Sequence, residues 1–358
     1  MAGLYLHIPF CKKRCLYCDF FSTTLLERRA EYVEAMLKEI QARRNEAGEP
    51  IRTIYFGGGT PSTLAIQDIQ RLIETIGIDE TEEVTMELNP GDATPEYLQS
   101  LRALGINRLS IGIQSFQDPL LQLIGRRHNA EQAIEAVKMA QEAGFDNLSI
   151  DLMYALPTQT MEMWQADIET ALRLNIQHIS CYGLMYEEGT ALTRLRDQGK
   201  LTPVDEDTEN AMYDRLCERL KTAGFVHYEV SNFALPGCEA KHNSRYWDGT
   251  PYIGIGAGAH SYIGRVRSWN PDDLDAYIRA IRNGNLVRES ETLTDKDLYN
   301  ERIMLGLRTS KGVPCEAIQG DINPYIVKGL LRLTPDDRIV ATQAGIHILN
   351  RIIEDLMI

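Results

Sequence analysis

The hydrophobic and polar positions of this chain follow two alternating patterns over its first two-thirds. Short β-branched or apolar runs, typical of buried parallel strands, are separated by longer segments with apolar residues at helical spacing. The segment that begins at Ala130, for example, places Ala133, Val137 and Ala140 on one face. The predicted strands are Leu4–Pro9, Thr53–Phe56, Val84–Leu88, Arg108–Ile113, Leu148–Leu152 and Ile179–Leu184, and the predicted helices are Glu27–Arg44, Thr63–Ile76, Pro95–Leu104, Ala130–Ala143, Met161–Leu174 and Asp205–Ala223.

Strand–helix units in succession imply a parallel sheet, either doubly wound or barrel-like. The residues at the predicted C-terminal ends of the strands help to decide, and they are Gly57-Gly58-Gly59, Glu87, Gln114 and Asp151. A barrel gathers its functional groups at that one edge of the sheet. The pattern therefore favours a barrel-like α/β fold.

The last third of the chain changes character after Ser231. A glycine-rich stretch with aromatic residues reads as connecting structure packed beside the barrel. Helical patterns return in Asp295–Leu307 and Ile346–Leu356, with a short hairpin predicted between Leu331 and Ala341. We therefore predict a core over residues 1–230, a connecting segment over 231–291, and a small, mainly helical, winged-helix-like domain over 292–358.

Composition and charge narrow the functional classes. The 358 residues carry a formal net charge of −14, which argues against general nucleic-acid binding. No apolar run approaches the roughly 20 residues that span a bilayer, and no charged leader precedes an apolar stretch at the N-terminus. The seven cysteines are an odd number and sparse, so a disulfide framework is not expected. These features predict a cytoplasmic protein with peripheral contact at the inner membrane as an alternative.

Three of the cysteines, Cys11, Cys15 and Cys18, form a C-x-x-x-C-x-x-C cluster. Three thiolates can hold three corners of a four-iron, four-sulfur cube and leave one iron open, whereas an ordinary electron-transfer cluster uses four. A structural zinc site also needs four ligands, and His7 would have to turn back from its strand to be the fourth. The spacing favours an iron–sulfur cluster, with zinc and plain free thiols as the alternatives.

These cysteines, with Tyr17 just before the third, resemble the radical S-adenosylmethionine (SAM) superfamily. The preceding segment Tyr5–Phe10 is similar to relatives of the oxygen-independent coproporphyrinogen III oxidase. The resemblance implies a partial (βα)6 barrel, a [4Fe-4S] cluster whose open iron chelates SAM, and an electron donor for that cluster. The implied chemistry is reductive cleavage of SAM.

The resemblance also implies a role for each matching polar position. The backbone of Gly57-Gly58-Gly59 and Thr60 would hold the methionyl amine of SAM, and Glu87 and Arg126 would address its methionyl end. The remaining SAM contacts would be made to the ribose and the adenosyl group by Gln114, Asp151, Tyr5 and Tyr17. Read alone, the glycine turn is as often structural, and Glu87 and Arg126 are ordinary surface charges. One departure is Ala155, which stands where the family block after Asp151 has glycine.

Three features resemble the HemW family of haem chaperones rather than the oxidases. Phe20 replaces a further cysteine of the oxidases, the chain begins four residues before Tyr5, and His242–Trp247 matches an H-N-x-x-Y-W motif. This resemblance implies binding of haem and its transfer to haem-protein acceptors, including membrane-bound respiratory enzymes. His242, read as a loop residue, is the candidate haem ligand because imidazole ligates haem iron, and His260 is its competitor.

Two alternative functions remain at this point. One is a radical SAM enzyme that decarboxylates coproporphyrinogen III or a related porphyrin. The other is a cluster-bearing electron-transfer protein without a SAM pocket.

Overall fold

Six parallel strands form the centre of the structure, a computed structural model that describes residues 1–286 and 288–358. They are β1 (Ala2–Ile8), β2 (Ile51–Gly58), β3 (Glu83–Leu88), β4 (Arg108–Gln114), β5 (Leu148–Tyr154) and β6 (His178–Gly183). The helices that connect and follow them are α1 (Arg29–Arg43), α2 (Ile66–Ile76), α3 (Pro95–Ala103), α4 (Asp118–Leu123), α5 (Ala130–Glu142), α6 (Met161–Arg173), α7 (Ala191–Asp197) and α8 (Glu206–Thr222).

The strands lie side by side in the order of the chain, from β1 to β6. A doubly wound sheet would reverse its strand order at a switch point, so this sequential order is that of a barrel. The first and last strands of this run, β1 and β6, do not pair with each other, and each is bonded instead to a strand from later in the chain, so the barrel is partial rather than closed. The predicted partial (βα)6 barrel is confirmed, and every predicted strand and helix of the first 223 residues overlaps an observed one.

Strands from residues 226–269 and 289–292 continue the same sheet beyond β6 on one side and β1 on the other. On the β6 side lie β7 (Val226–Glu229) and β8 (Asn232–Ala234), and on the β1 side lie β9 (Tyr252–Ile255), β10 (His260–Ile263), β11 (Val266–Trp269) and β12 (Glu289–Thr292). Helices α9 (Lys241–Asp248) and α10 (Leu274–Arg282) belong to the same segment. The predicted connecting segment is thus an extension of the sheet, with strands too short for a clear alternating pattern in the sequence.

The C-terminal residues form a smaller unit with its own core, centred on Ile303, Ile339 and Ile352. Its elements are α11 (Asp295–Gly306), β13 (Val313–Pro314), α12 (Asn323–Val327), β14 (Leu331–Leu333), β15 (Arg338–Ala341), α13 (Gln343–Ile346) and α14 (Leu349–Leu356). The predicted hairpin corresponds to β14 and β15, which pair antiparallel. The helix predicted from Ile346 to Leu356 is divided between α13 and α14.

Residues along each barrel strand alternate between two environments. In β1, Leu4, Leu6 and Ile8 pack in the main apolar core with the surrounding helices. Tyr5 and His7, between them, bond to each other through the Tyr5 hydroxyl and His7 Nδ1 at 3.0 Å, which places both on the inner side. The same alternation along the other strands explains why predicted site residues such as Glu87 and Asp151 face the lumen of the barrel. No helix in the described part of the chain is long and apolar enough to cross a bilayer.

Candidate functional site

The three clustered cysteines lie in the loop that follows β1, at the C-terminal end of the barrel strands. Backbone bonds hold this loop in place: Cys11 N donates to Thr23 O at 2.8 Å, and Leu16 N donates to Ile124 O at 3.1 Å. Lys12 adds an ion pair to Asp92 at 2.7 Å. The loop is thus fastened to the barrel at several points between and beside the cysteines.

Polar groups from two other loops approach the cysteine sulfurs. Thr60 Oγ1 lies 3.4 Å from Cys11 Sγ, and Arg126 Nη1 donates to Cys15 Sγ at 3.4 Å. Burial raises the pKa of the Cys11 thiol, with the nearby Cys15 adding to the effect and Thr60 opposing it. The Cys18 pKa is also raised, first by burial and then by its fellow cysteines. The cysteines therefore lie close enough to influence one another, and the Arg126 guanidinium lies beside Cys15.

The Gly57-Gly58-Gly59 turn packs tightly against the start of the cysteine loop. A Cβ on Gly59 would lie 2.8 Å from the Pro9 carbonyl carbon and 3.0 Å from Cys11 Sγ, closer than a side chain tolerates. Gly58 has φ +112°, a conformation open to glycine and strained for other residues. The lack of side chains at this turn lets its backbone lie directly against the cysteine loop.

Glu87 projects from β3 toward the same turn. Its Oε1 accepts a hydrogen bond from the Tyr55 hydroxyl at 2.9 Å, and its Oε2 accepts one from Gly58 N at 3.2 Å. Burial first, and then the charge of Asp151, raise the pKa of Glu87 to about 8, against the opposing effect of these hydrogen bonds. A carboxyl group in this position is protonated at neutral pH until a cation arrives beside it.

Asp151 and Gln114 stand on the neighbouring strands β5 and β4. Asp151 Oδ1 accepts a hydrogen bond from Ser110 Oγ at 3.1 Å, and burial raises the Asp151 pKa. Gln114 is buried and has φ +74°, which turns the chain at the strand end. A Cβ on Gly112 would lie 3.1 Å from Gln114 Nε2 and 3.4 Å from Arg126 Nη2, so these two side chains meet over that glycine.

The predicted aromatic residues flank this group. Tyr17 is partly buried. Burial is the main cause of its raised pKa, and the charges of Arg126, Cys15 and Cys18 also act on it. Tyr5 lies on the lumen side of β1 and stacks beside Tyr55 with ring centroids 6.2 Å apart. The structure therefore gathers the predicted SAM and cluster residues at one end of the barrel.

The donor set fits the group that the resemblance implies. Three thiols in one loop, with no fourth cysteine beside them in the sequence, match a cluster with one open iron. Arg126 Nε is buried and without a hydrogen-bond partner within the described residues, so this side chain can donate one more hydrogen bond. In that same part of the chain, no group of three or more His, Cys, Asp or Glu side chains is arranged to hold a single metal ion.

His242 lies at the opposite end of the barrel, on helix α9 and not in a loop. The loop assignment from the sequence is wrong because the cap of α9 comes from a distant strand. The Glu83 carboxylate, at the start of β3, accepts hydrogen bonds from Lys241 N at 2.9 Å and His242 N at 2.8 Å. A distant acid that caps a short polar helix leaves no local pattern in the sequence.

The His242 ring is enclosed, and both of its nitrogens have partners. Nδ1 lies 3.0 Å from Thr53 Oγ1, and Nε2 lies 2.9 Å from the Tyr246 hydroxyl. Burial, and then the charge of Arg245, lower the pKa of His242 to about 3. The imidazole is therefore neutral at physiological pH, and its Nε2 shares a hydrogen bond with the Tyr246 hydroxyl.

A cavity of about 740 Å³ opens on the other side of Tyr246, between α9 and the C-terminal unit. Its aromatic wall comes from the sheet extension and α9: Tyr246, Trp247, Tyr252 and Tyr262. Its opposite wall comes from the C-terminal unit, with apolar Leu298, Leu305, Val313 and Pro314 and cationic Arg302, Lys311 and Arg338. The sequence identified Trp247 and Tyr246 as aromatic partners, but the contribution of the C-terminal unit follows only from the fold.

Several buried groups at the first site have no sequence motif of their own. His7 bonds Tyr5 and lies 2.9 Å from the Phe21 carbonyl oxygen through Nε2. Asp167, on α6, accepts from Ser115 Oγ at 2.7 Å and from Phe116 N at 3.0 Å, so it fixes the loop after β4. The alternation along β1 could have placed His7 in the lumen. Nothing local to α6 indicates the role of Asp167.

Comparisons with known proteins identify the family of this chain. The model of the radical SAM superfamily matches residues 5–171. The heme chaperone HemW of Lactococcus lactis is 37% identical, over 99% of this chain and 97% of its own length. HemW of Bacillus subtilis is also 37% identical, over 87% of this chain and 85% of its length. The mitochondrial radical S-adenosyl methionine domain-containing protein 1 of Danio rerio is 34% identical over 87% of this chain and 74% of its own.

Among solved structures, the coproporphyrinogen III oxidase HemN from Escherichia coli has the same fold. The match covers 99% of this chain and 90% of that one, with a TM-score of 0.83 and 24% sequence identity. This likeness confirms the fold, whereas the full-length relatives above decide the family. The chain belongs to the HemW family of radical SAM proteins.

Proposed function

We propose that this protein is a haem chaperone, which binds haem in the cavity between α9 and the C-terminal unit and passes it to haem-protein acceptors. The single observation that carries this proposal is the make-up of that cavity. Its volume of about 740 Å³ lies in the range of small-molecule and cofactor sites. The full-length relatives named as heme chaperones support the same function.

The cavity offers what a flat, largely apolar macrocycle needs. Trp247 and Tyr246 present aromatic surface from α9, and Leu298 and Leu305 present apolar surface from the facing helix α11. Aromatic side chains of this kind pack against the face of a conjugated ring. Haem would therefore lie between the sheet extension and the C-terminal unit.

Two arginines in the cavity wall are suited to the haem propionates. Arg245 donates to Thr53 Oγ1 at 3.0 Å and to Met1 O at 3.2 Å. Arg338 donates to the Lys311 and Gly312 carbonyl oxygens at 2.6 and 2.8 Å. Neither arginine forms an ion pair with a carboxylate in the described part of the chain, so their charge is available to an acidic ligand.

We keep His242 as the proposed iron ligand, with one structural condition. The Tyr246 hydroxyl is hydrogen-bonded to His242 Nε2 and lies between the imidazole and the cavity. Ligation by His242 therefore requires the Tyr246 side chain to leave that hydrogen bond and turn aside. The lowered pKa of His242 favours ligation, because only the neutral ring binds iron.

At the other end of the barrel, the proposed resident groups are a [4Fe-4S] cluster on Cys11, Cys15 and Cys18 and a SAM molecule beside it. When bound, these groups supply one-electron reduction of the sulfonium. Arg126 stabilises the thiolates, Glu87 balances the SAM cation, and Gly59 keeps the space over Cys11 free. All seven cysteines are free thiols, which is consistent with our proposal of a reducing cytoplasmic location.

The proposal is tested by titrating haem into the purified protein and following the Soret band. We expect one haem per chain, weaker binding by Trp247→Ala, and a changed ligand-field spectrum for His242→Ala. His260→Ala is the matched control, since His260 is an exposed histidine on β10 that does not line the cavity. Equal affinity and identical spectra for the wild type and all three variants would contradict this site.

A further inference from the structure

The lumen face of β2 runs from one proposed site to the other. Thr53, Tyr55 and Gly57 share this face, while the residues between them pack in the apolar core. Gly57 opens the glycine turn beside the cysteines. At the other end of the strand, Thr53 Oγ1 lies 3.0 Å from His242 Nδ1. Tyr55 therefore lies between the two sites on a single strand.

Tyr55 contacts a residue of each site. Its hydroxyl donates to Glu87 Oε1 at 2.9 Å, and Glu87 also accepts from the glycine turn at Gly58 N. Its ring stacks on the His242 imidazole, with ring centroids 5.3 Å apart and planes inclined by 28°. Only 9% of Tyr55 is exposed. An enclosed ring of this kind cannot move without affecting the groups that it touches.

Gly57 allows Tyr55 to reach Glu87. In the pairing of β2 with β3, Tyr55 lies opposite Thr85, so Glu87 is two residues further along the neighbouring strand. The Tyr55 side chain must therefore lean over Gly57. A Cβ on Gly57 would lie 2.7 Å from Tyr55 Cε1, closer than a side chain tolerates. The bare backbone at this position thus leaves the space that joins Tyr55 to the SAM end of the barrel.

We propose that Tyr55 is a positioning residue that couples the SAM site to the His242 imidazole through the barrel lumen. The inference rests on the SAM and haem sites of the proposed function. Glu87 is ionised when a SAM cation lies beside it, and a hydrogen bond to an ionised group is roughly twice as strong as one between neutral groups. Tyr55 is then held more firmly, and its ring holds the face of His242.

This coupling favours the state in which His242 is ready to bind haem. Before ligation, Tyr246 must leave His242 Nε2, and the imidazole is then held at Nδ1 by Thr53 and on one face by Tyr55. A firmly held Tyr55 keeps the freed ring in place and reduces the ordering cost of binding. SAM should therefore raise the affinity for haem. By thermodynamic linkage, haem should raise the affinity for SAM by the same factor.

The experiment titrates haem into the cluster-loaded protein under anaerobic conditions, with and without saturating SAM. We expect SAM to raise the haem affinity of the wild type about fivefold, the lower end of typical couplings between sites. Tyr55→Phe keeps the ring on His242 and loses the bond to Glu87, so its haem affinity should not respond to SAM. A purely structural defect would weaken haem binding equally with and without SAM, whereas the coupling role changes the ratio of the two affinities.

The matched control is Tyr97→Phe, which also removes one hydroxyl from a tyrosine. Tyr97 lies on the outer helix α3 and donates to the Leu64 carbonyl oxygen at 3.3 Å. This variant should keep the SAM response of the wild type.

A second measurement follows the imidazole directly and needs no haem. SAM is added to the haem-free, cluster-loaded protein that carries isotope-labelled histidine, and the His242 nuclear magnetic resonance signals are assigned with the His242→Gln variant. These signals should shift on SAM binding in the wild type and in Tyr97→Phe. In Tyr55→Phe they should stay in place.

The two measurements separate this inference from the proposed function. Haem binding that is equal with and without SAM would overturn the inference and leave the chaperone function intact. Absent haem binding, with His242 signals that shift with SAM and require the Tyr55 hydroxyl, would contradict the function and support the coupling. A wild type that does not bind SAM, or a Tyr55→Phe variant that keeps the full SAM response, would overturn the role of Tyr55.

Discussion

SAM binding to the cluster-loaded protein is expected to depend on pH through Glu87. This carboxyl group has a pKa of about 8, because burial and the charge of Asp151 disfavour its ionised form. SAM carries a permanent sulfonium cation, so the complex is most stable when Glu87 is ionised. Binding therefore expels the Glu87 proton wherever the free protein still holds it.

The magnitude follows from that pKa. At pH 7 a group with a pKa of about 8 is protonated in about nine molecules of ten, so Glu87 should contribute about 0.9 proton to the protons released when SAM binds. The apparent affinity should rise about tenfold for each pH unit below pH 8 and level off above it, a total of about 100-fold between pH 6 and the plateau.

Calorimetric titration of SAM in two buffers of different ionisation enthalpy measures the released protons directly. Glu87→Gln should bind SAM more weakly and without this pH dependence. Asp151→Asn should move the midpoint to lower pH, because it removes a negative charge that raises the Glu87 pKa. The reasoning is refuted if the wild type releases no proton at pH 7 and its affinity is flat from pH 6 to 9.

Two further predictions concern folding stability. Ala155 adopts φ +59°, where a Cβ is strained, so Ala155→Gly should raise the free energy of unfolding in urea by about 0.5–1 kcal/mol, and a loss of stability would contradict the strain. The folded-state pKa of His242, about 3, lies below the unfolded value of about 6.5, so stability is intact above pH 6.5 and falls as the pH drops toward 3. At pH 5 the loss in the free energy of unfolding amounts to about 2 kcal/mol. His242→Gln should remove this part of the acid sensitivity. Parallel curves of stability against pH for the variant and the wild type would contradict the prediction.

Sequence periodicity was sufficient for the barrel but not for the parts added to it. The six barrel strands are continuous apolar runs between well-defined helices, and the strand ends placed Glu87 and Asp151 at one edge. The strands β7 to β12 are three or four residues long, which is too short for a period-two pattern to stand out. The extension of the sheet is therefore a property of the fold that local patterns do not carry.

The two halves of the candidate site differ in the same way. The cysteine loop and the glycine turn are local motifs, each recognisable in the sequence, and in the structure they lie in contact. The cavity depends on contacts between α9 and the C-terminal unit, and α9 itself is capped by Glu83 from a strand more than 150 residues earlier. Long-range capping of this kind explains why His242 was expected in a loop and lies enclosed on a helix.

The central claim is most directly tested by one anaerobic measurement on the cluster-loaded protein. Haem binding is titrated, transfer of the bound haem to an apo haem protein is followed, and the same preparation is incubated with coproporphyrinogen III and SAM. Our account predicts one haem bound per chain, transfer to the acceptor, and no release of carbon dioxide from the porphyrinogen. Sustained decarboxylation with weak or absent haem binding would contradict it and make this protein a radical SAM decarboxylase.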